Sequence, residues 1–241
     1  MALPEEIEGF PVKAVADGFM KENNTVEGIA FPAGLETIGS EAFQSCSYLK
    51  RAELPAGLKE IKALAFFGTG IETLKIPASL ESYSPSAFYG IKSVEVAEEN
   101  EKFRVEDNIL YEGSKLVLIG NENTGEFVVP SQVSEVCAYA GVYSQLSSIV
   151  LPSSVKRIGN HAFYGAESLR KAVISEGTEE IRRSAFSKCI MLEEVVIPQT
   201  VKSIGVQAFS GCSSLRTVTI SRDCEIGEGA FDAGVKVEYY D

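Results

Sequence analysis

The residues that could carry out chemistry are few and lie far apart in the chain. The single histidine, His161, would have to serve any Ser-His or Cys-His nucleophile pair. It lies in the segment IGNHAF, at a position that related segments fill with varied and mostly polar residues, so we expect it to be solvent-exposed and without a catalytic role. The carboxylates recur as surface positions, and the chain has no P-loop, GxGxxG or HExxH motif. The sequence therefore predicts neither an enzyme nor a bound cofactor.

The five cysteines also lack the spacing of a metal site. No CxxC pair is present, and an odd number of cysteines argues against a closed disulfide framework. Cys46, Cys189 and Cys212 each follow a phenylalanine by three residues, and Thr69 and Ala166 fill the same position elsewhere. A position that accepts Cys, Thr and Ala favours a small buried side chain. We expect these thiols to be free and to belong to the core.

Charge and hydropathy exclude two classes of partner. The 241-residue chain has a formal net charge of -12, which makes it a poor ligand for the phosphate backbone of nucleic acids or for anionic lipid. No stretch approaches the length of apolar residues that a membrane helix needs. The N-terminal segment MALPEEIEGFPV lacks the basic and apolar regions of a signal peptide. We therefore expect no nucleic acid partner and no membrane insertion.

Internal repetition is the most informative feature of the sequence. The dipeptide Ala-Phe recurs at steps of 22 or 23 residues, with one long gap between Phe88 and Phe163. One period reads L-x-x-[IVA]-x-[IL]-[PS]-x-x-[VT]-x-x-I-[GR]-x-x-A-F-x-x-[CA]-x-x-L. A single period cannot bury its own apolar columns, but stacked periods can bury them against one another. The pattern therefore predicts a solenoid.

Each part of the period has a structural interpretation. The segment L-x-x-I-x-I ends in alternation and predicts a short strand with one inward face. The proline that follows cannot continue the strand, and V-x-x-I-G predicts a second extended piece ending in a tight corner at its glycine. The first strand of each period is expected at residues 26–31, 49–54, 71–76, 91–96, 127–129, 146–151, 169–174, 192–197, 215–220 and 235–239.

This pattern resembles the BspA-type bacterial leucine-rich repeat, in which an A-F-x-x-C element and a proline after the strand are typical. The resemblance covers almost the whole chain. It implies a right-handed, mostly β solenoid of about ten repeats in a single domain, residues 1–241, with N-terminal repeats at 1–96 and C-terminal repeats at 126–241. Between them, residues 97–125 contain the apolar pieces NILY and KLVLIG around EGS, which predict a β-hairpin insert.

The outward positions of the predicted strands form the first candidate binding surface. Charges alternate in sign on successive repeats, which is compatible either with a cross-strand charge ladder that fixes register or with a recognition surface. An apolar column beside the charges favours recognition. The candidate residues of this strand face are Arg170, Lys171, Glu193, Glu194, Arg216, Val150, Val173 and Val196.

The position after Phe provides a second candidate, because it holds Phe67, Tyr89 and Tyr164. Exposed aromatic residues are common binding anchors, although these could equally pack within their own turns.

The resemblance implies a non-catalytic module for protein–protein interaction or adhesion, on a secreted or cell-surface bacterial protein. Its partner would be a protein of a host or a neighbouring cell. The alternative is a carbohydrate-binding accessory module, which the absence of tryptophan makes less favourable. Oligomeric state is not indicated by the sequence.

Overall fold

Short strands joined by turns make up nearly all of the regular structure. The computed structural model describes residues 1–240, in which the single helical element is a four-residue 3-10 helix, Pro85–Phe88. The chain divides into two compact units, Met1–Glu112 and Gly113–Asp241, and each is a β-solenoid. All ten segments expected as strands overlap observed strands, so the predicted fold class is confirmed.

The first unit contains twelve strands. They are β1 (Glu6–Ile7), β2 (Phe10–Pro11), β3 (Ala14–Val15), β4 (Gly28–Ala30), β5 (Thr37–Ile38), β6 (Arg51–Glu53), β7 (Glu60–Ile61), β8 (Thr73–Ile76), β9 (Ser82–Tyr83), β10 (Ser93–Val96), β11 (Phe103–Glu106) and β12 (Ile109–Glu112).

Residues 113–240 of the second unit contain another twelve. They are β13 (Lys115–Ile119), β14 (Thr124–Val128), β15 (Glu135–Val136), β16 (Gln145–Leu151), β17 (Arg157–Ile158), β18 (Lys171–Ile174), β19 (Glu180–Ile181), β20 (Glu194–Val196), β21 (Ser203–Ile204), β22 (Thr217–Ile220), β23 (Glu225–Ile226) and β24 (Lys236–Tyr239).

Successive coils pair in parallel along two lines of strands. In the second unit, β14, β16, β18 and β20 form one sheet, β22 pairs with β24, and β13, β15, β17, β19, β21 and β23 form the other line. In the first unit, β3, β5, β7 and β9 form the second line, whereas the first line is divided into the pairs β4–β6 and β8–β10. The period-two alternation of L-x-x-I-x-I places the leucine and isoleucine columns inside, where they are buried.

The turn around Ala-Phe forms a third hydrogen-bonded line that sequence reasoning did not identify. The amides of His161, Phe163 and Gly165 donate to the carbonyls of Arg183, Ala185 and Ser187 on the next coil, at 2.9, 2.6 and 2.8 Å. Both end residues have positive φ, 54° at His161 and 66° at Gly165. The same spacing of two left-handed residues recurs in neighbouring coils, as in Ser184 with Lys188 and Gln207 with Gly211. These bonds satisfy turn amides that burial would otherwise leave unpaired.

Stacked phenylalanines fill the core behind this turn ladder. Phe163, Phe186, Phe209 and Phe231 lie with adjacent ring centroids 5.1, 5.2 and 5.3 Å apart and with rings within 16° of parallel. The first three are fully buried. The coil that contains β15 has Gly141 in this column in place of phenylalanine. A Cβ there would lie 2.7 Å from Cδ1 of Phe163, so the neighbouring ring occupies the space.

The cysteine column is buried and free, and it also donates hydrogen bonds. Cys189 Sγ lies 3.1 Å from the carbonyl oxygen of Phe163, and Cys212 Sγ lies 3.1 Å from that of Phe186. Cys46 makes the same contact to Met20, at 2.9 Å. Burial raises the pKa of the Cys189 thiol well above its ordinary value, and the neighbouring Cys212 adds to this shift. The thiol therefore caps the carbonyl of the preceding coil's aromatic position.

The corner glycine serves a different purpose from the one expected. Gly159, Gly205 and Gly227 do not have positive φ, so the tight corner does not depend on glycine's conformational freedom. A Cβ at Gly205 would instead lie 2.5 Å from the amide nitrogen of Arg183 on the preceding coil. The glycine allows two backbones to approach closely.

The predicted insert contains a hairpin that begins earlier than NILY. β11 and β12 pair antiparallel around Asp107 and Asn108, which both have positive φ, as a two-residue hairpin turn requires. The Lys102 ammonium lies 5.2 Å from the centroid of the Phe103 ring, and the Arg104 guanidinium lies 4.1 Å from the Tyr111 ring centroid. The strand that sequence reasoning missed, β11, is joined to β12 by backbone pairing and by the Arg104–Tyr111 cation–π contact.

The close approach at the corner makes a first prediction. Gly205→Ala is expected to destabilise the protein by about 1–3 kcal/mol, because the added methyl group overlaps backbone atoms that cannot rotate away. Gly234→Ala is the matched control, since no heavy atom lies within 4 Å of its Cβ position. Denaturant unfolding of both variants checks this, and equal free energies of unfolding would show that the corner tolerates a side chain.

The phenylalanine stack makes a second prediction. Phe186→Ala is expected to lower the free energy of unfolding by about 3–5 kcal/mol, because it empties the middle of the stack. Ile190→Ala, in the same coil but 42% exposed, is expected to cost less than about 1 kcal/mol. The comparison is made by denaturant unfolding, and a large loss at Ile190 would contradict the assignment of the core.

Candidate functional site

The strand face of the second unit brings the predicted charged residues together in pairs. Arg170 Nη1 lies 3.0 Å from Glu193 Oε1, and Lys171 Nζ lies 2.8 Å from Glu194 Oε1. Arg216 Nη1 donates to the carbonyl of Ser213 in its own coil at 3.0 Å. The four paired side chains remain about half exposed. Their charges are thus balanced between adjacent coils, which is the arrangement of a charge ladder.

Alternating charge columns occur on the second strand line as well. In the first unit, Glu36 lies between Lys13 and Lys59, with N–O distances of 2.9 and 2.8 Å. Hydrogen bonds from Lys59 and Lys13 lower the pKa of the Glu36 carboxyl to about 2. In the second unit, Lys202 pairs with Glu179 at 2.7 Å. Because such pairs recur between stacked coils of both units, register accounts for the alternation on the strand face.

The valine column lies in register beside these charges. Val150 pairs with Val173, and Val173 pairs with Val196. The column extends one coil further than predicted, because Val128 pairs with Val150. Val128 and Val196 are 57% and 40% exposed, and the two central valines are half-buried. We call these four residues the valine stripe. Val128 belongs to the valine stripe because of the register in which β14 pairs with β16. The sequence did not indicate this, because the repeat that contains β14 matches the pattern only weakly.

The strand face of the first unit contains a groove that the sequence did not indicate. It has a volume of about 420 Å³ and lies where β6 and β8 belong to separate two-stranded sheets. One hydrogen bond, from the Glu72 amide to the Lys50 carbonyl at 3.4 Å, links the coils beside it. Alanines, Leu54 and Pro77 form its apolar part, and its charged lining residues are Arg51, Glu53, Lys75 and Glu99. The groove lies where β6 and β8 do not pair, and the sequence pattern gives no sign of this break.

The aromatic candidates are largely packed within their turns. The ring centroids of Phe67 and Tyr89 lie 4.5 Å apart, and Tyr89 is buried, so this pair offers little accessible surface. Tyr164 is half-buried and has the Lys188 ammonium 5.2 Å from its ring centroid. A hydrogen bond with Tyr164 raises the pKa of Lys188. The structure thus brings Tyr164 beside an accessible positive charge.

His161 is not simply exposed, as its variable position had indicated. Its ring is half-buried, stacks on Tyr139 at 5.2 Å and 15°, and meets the edge of Tyr164 at 5.7 Å. Burial and the nearby Arg183 guanidinium lower its pKa. The backbone of this column is left-handed in every well-formed coil of this unit, so the turn, and not the residue type, sets the direction in which each side chain leaves the backbone.

Residues 1–240 contain neither a candidate metal site nor a helix that could span a membrane. No group of three or more His, Cys, Asp or Glu side chains is arranged to hold a metal ion there. None of the described helical structure is long and apolar enough to cross a bilayer.

Comparisons with known proteins agree with this architecture. Residues 15–140 and 134–239 match the model of the BspA-type leucine-rich repeat region, which has six copies. A search of curated protein sequences found no match.

Several solved structures share the fold. A leucine-rich cell surface protein from Faecalibacterium prausnitzii is 21% identical, with a TM-score of 0.73 over 100% of this chain and 87% of that chain. The pneumococcal vaccine antigen PcpA is 24% identical, with a TM-score of 0.84 over 98% of this chain and 62% of its own. A leucine-rich repeat protein from Eubacterium ventriosum is 21% identical, with a TM-score of 0.76 over 90% and 70%. At these identities the likeness shows the fold alone.

The paired strand face makes a third prediction, which separates ladder from recognition. Glu193→Arg is expected to weaken stability slightly, and the swap Arg170→Glu with Glu193→Arg to restore it. The coupling free energy between these exposed side chains should be about 0.2–0.5 kcal/mol and should fade at high salt. A double-mutant cycle by thermal unfolding measures this, and zero coupling at low salt would argue against a ladder at this pair.

Proposed function

The chain belongs to the BspA-type leucine-rich repeat family, and we propose that it is a non-catalytic module that binds another protein through the strand face of its second unit. The observation that carries the proposal is the valine stripe, Val128, Val150, Val173 and Val196, which lies in register on four successive coils. An apolar stripe exposed on a sheet and bordered by polar groups is typical of a macromolecular contact.

The two kinds of side chain on this face have different roles in the proposal. The valines supply apolar area that is removed from water on binding. Arg170, Lys171, Glu193 and Glu194 border them, already paired across coils, and Arg216 continues their edge. Because the strand residues are held by backbone pairing, on both sides in β16 and β18, little conformational entropy is lost when a partner docks. The charges then set orientation and association rate more than affinity.

We further propose that the protein acts at the surface of a bacterium or outside it, on a protein of a host or neighbouring cell. The supporting points are the family membership and a structural neighbour described as a cell surface protein. Binding of a glycan at the same face is the competing outcome. An extended, shallow apolar stripe without a tryptophan platform favours protein.

The test is a fourth prediction. The purified chain is screened in parallel against arrays of extracellular proteins and of glycans, and the best ligand is titrated against Val150→Asp with Val173→Asp. We expect a protein ligand and a loss of affinity of about a hundredfold, because two charges would be buried at the contact. The melting temperatures of this double variant and of its control verify that both remain folded.

Ser153→Asp with Gln199→Asp is the matched control, since it adds the same charge at two exposed corner positions of the same unit. It should bind like the natural chain. Selective glycan binding, or equal losses in the two double variants, would contradict the proposed face.

A further inference from the structure

A second surface of the Gly113–Asp241 unit lies on its Ala-Phe turns and differs in chemistry from the strand face. It consists of Tyr139, Tyr143, His161, Tyr164, Arg183 and Lys188, two from each of three successive coils, and we call it the aromatic-basic patch. Tyr143 and Tyr164 have ring centroids 6.1 Å apart, and His161 lies between Tyr139 and Tyr164. Tyr143 is 44% exposed, and both cationic side chains are exposed.

The charges of this patch are not balanced as those of the strand face are. Within residues 1–240, neither Arg183 nor Lys188 takes part in an ion pair, whereas Arg170, Lys171 and Lys202 in the same unit each contact a carboxylate. Lys188 instead lies over the Tyr164 ring, and the Arg183 carbonyl accepts a hydrogen bond from the His161 amide, at 2.9 Å. Burial and then the Arg183 charge lower the imidazole pKa of His161. The patch thus presents cations that its neighbours have not neutralised.

The sequence around the patch is unusually free of acid. The chain carries 34 Asp and Glu residues, yet none lies between Glu135 and Glu167. That interval supplies Tyr139, Tyr143, His161 and Tyr164. The turn segments 138–144, 160–166 and 182–189 themselves contain no Asp or Glu. In a protein of net charge -12, turns that carry exposed cations and no carboxylate of their own are complementary to an anionic ligand.

The chemistry of the patch restricts that anion. Guanidinium and ammonium groups bind carboxylates through charge-assisted hydrogen bonds, and tyrosine hydroxyls can donate to the same oxygens. The aromatic rings add area against aliphatic stems and peptide backbone. A nucleic acid fits poorly, because two cations cannot offset the repulsion between its phosphates and the rest of an acidic chain. An acidic polypeptide fits, because its charges are spaced widely and its backbone can lie on the rings.

We propose that the aromatic-basic patch binds an acidic, extended segment of a partner protein. Arg183 and Lys188 contact carboxylates of that segment, and Tyr143 and Tyr164 contact its backbone and side-chain stems. This surface is distinct from the valine stripe, so either can fail without the other.

The test uses a fluorescein-labelled peptide of alternating glutamate and glycine, titrated with the natural chain at about 50 mM salt, where exposed charges are weakly screened. We expect saturable binding, and a loss of about tenfold or more in Arg183→Glu with Lys188→Glu. The peptide affinity of Arg183→Gln with Lys188→Gln should lie between those of the natural chain and the charge-reversal variant. This neutral variant provides the test if the charge reversal impairs folding. Tyr143→Ala should also weaken binding.

The matched control is Arg222→Glu with Lys236→Glu, which changes the net charge of the same unit equally. Arg222 also lies over a tyrosine ring, 5.5 Å from the centroid of Tyr239, but outside the patch. The control should change affinity by less than about twofold. Absence of binding, equal losses in patch and control variants, equal binding of a lysine-glycine peptide, or tighter binding of an oligothymidine would each overturn the proposal.

Discussion

Hydrogen bonding between each coil and the next, held in one register along three lines, is the constraint on which the rest of each unit depends. Two lines are parallel strand pairs, and the third is the ladder of amides in the Ala-Phe turns. Strand pairing fixes the distance between coils at about 4.8 Å. At that distance the corner of one coil presses against the backbone of the preceding one, which is why Gly205 has no room for a side chain. The spacing also sets the phenylalanine rings close enough to stack.

The same register arranges the surface into columns. A side chain at a given position lies beside its equivalents on both neighbouring coils, so like charges would repel and opposite charges attract. Repulsion between like charges is avoided in the column of Lys13, Glu36 and Lys59, where one carboxylate lies between two ammonium groups. Residues that depart from charge alternation are therefore more informative about binding than residues that follow it. The valine stripe and the aromatic-basic patch depart from it, whereas Arg170 with Glu193 follows it.

Interruptions of the repeat also create surface features. In the first unit the strand line is divided between β6 and β8, and a groove of about 420 Å³ lies at the division. In the second unit Gly141 stands where phenylalanine is usual, and the ring of Phe163 occupies its place. The coil that carries Gly141 also carries Tyr139 and Tyr143. A repeat that has lost its regular core residue thus contributes two rings to the proposed binding patch.

The sequence by itself determined the repeat period, the positions of the strands and the inward columns, because each depends on spacing within one coil and on burial of apolar side chains. It also identified Val150, Val173 and Val196 as one column. The tertiary structure alone decided which charges are paired, that Val128 extends the stripe, that β11 forms the hairpin with β12, and that Lys188 lies over the Tyr164 ring. The charge pairs, the longer stripe and the ring contact depend on distances between coils, about which a pattern within one period carries no information. The hairpin lies outside the repeat pattern. The backbone of His161 illustrates the limit: a variable position indicated exposure, whereas a left-handed turn and two aromatic neighbours give a half-buried ring.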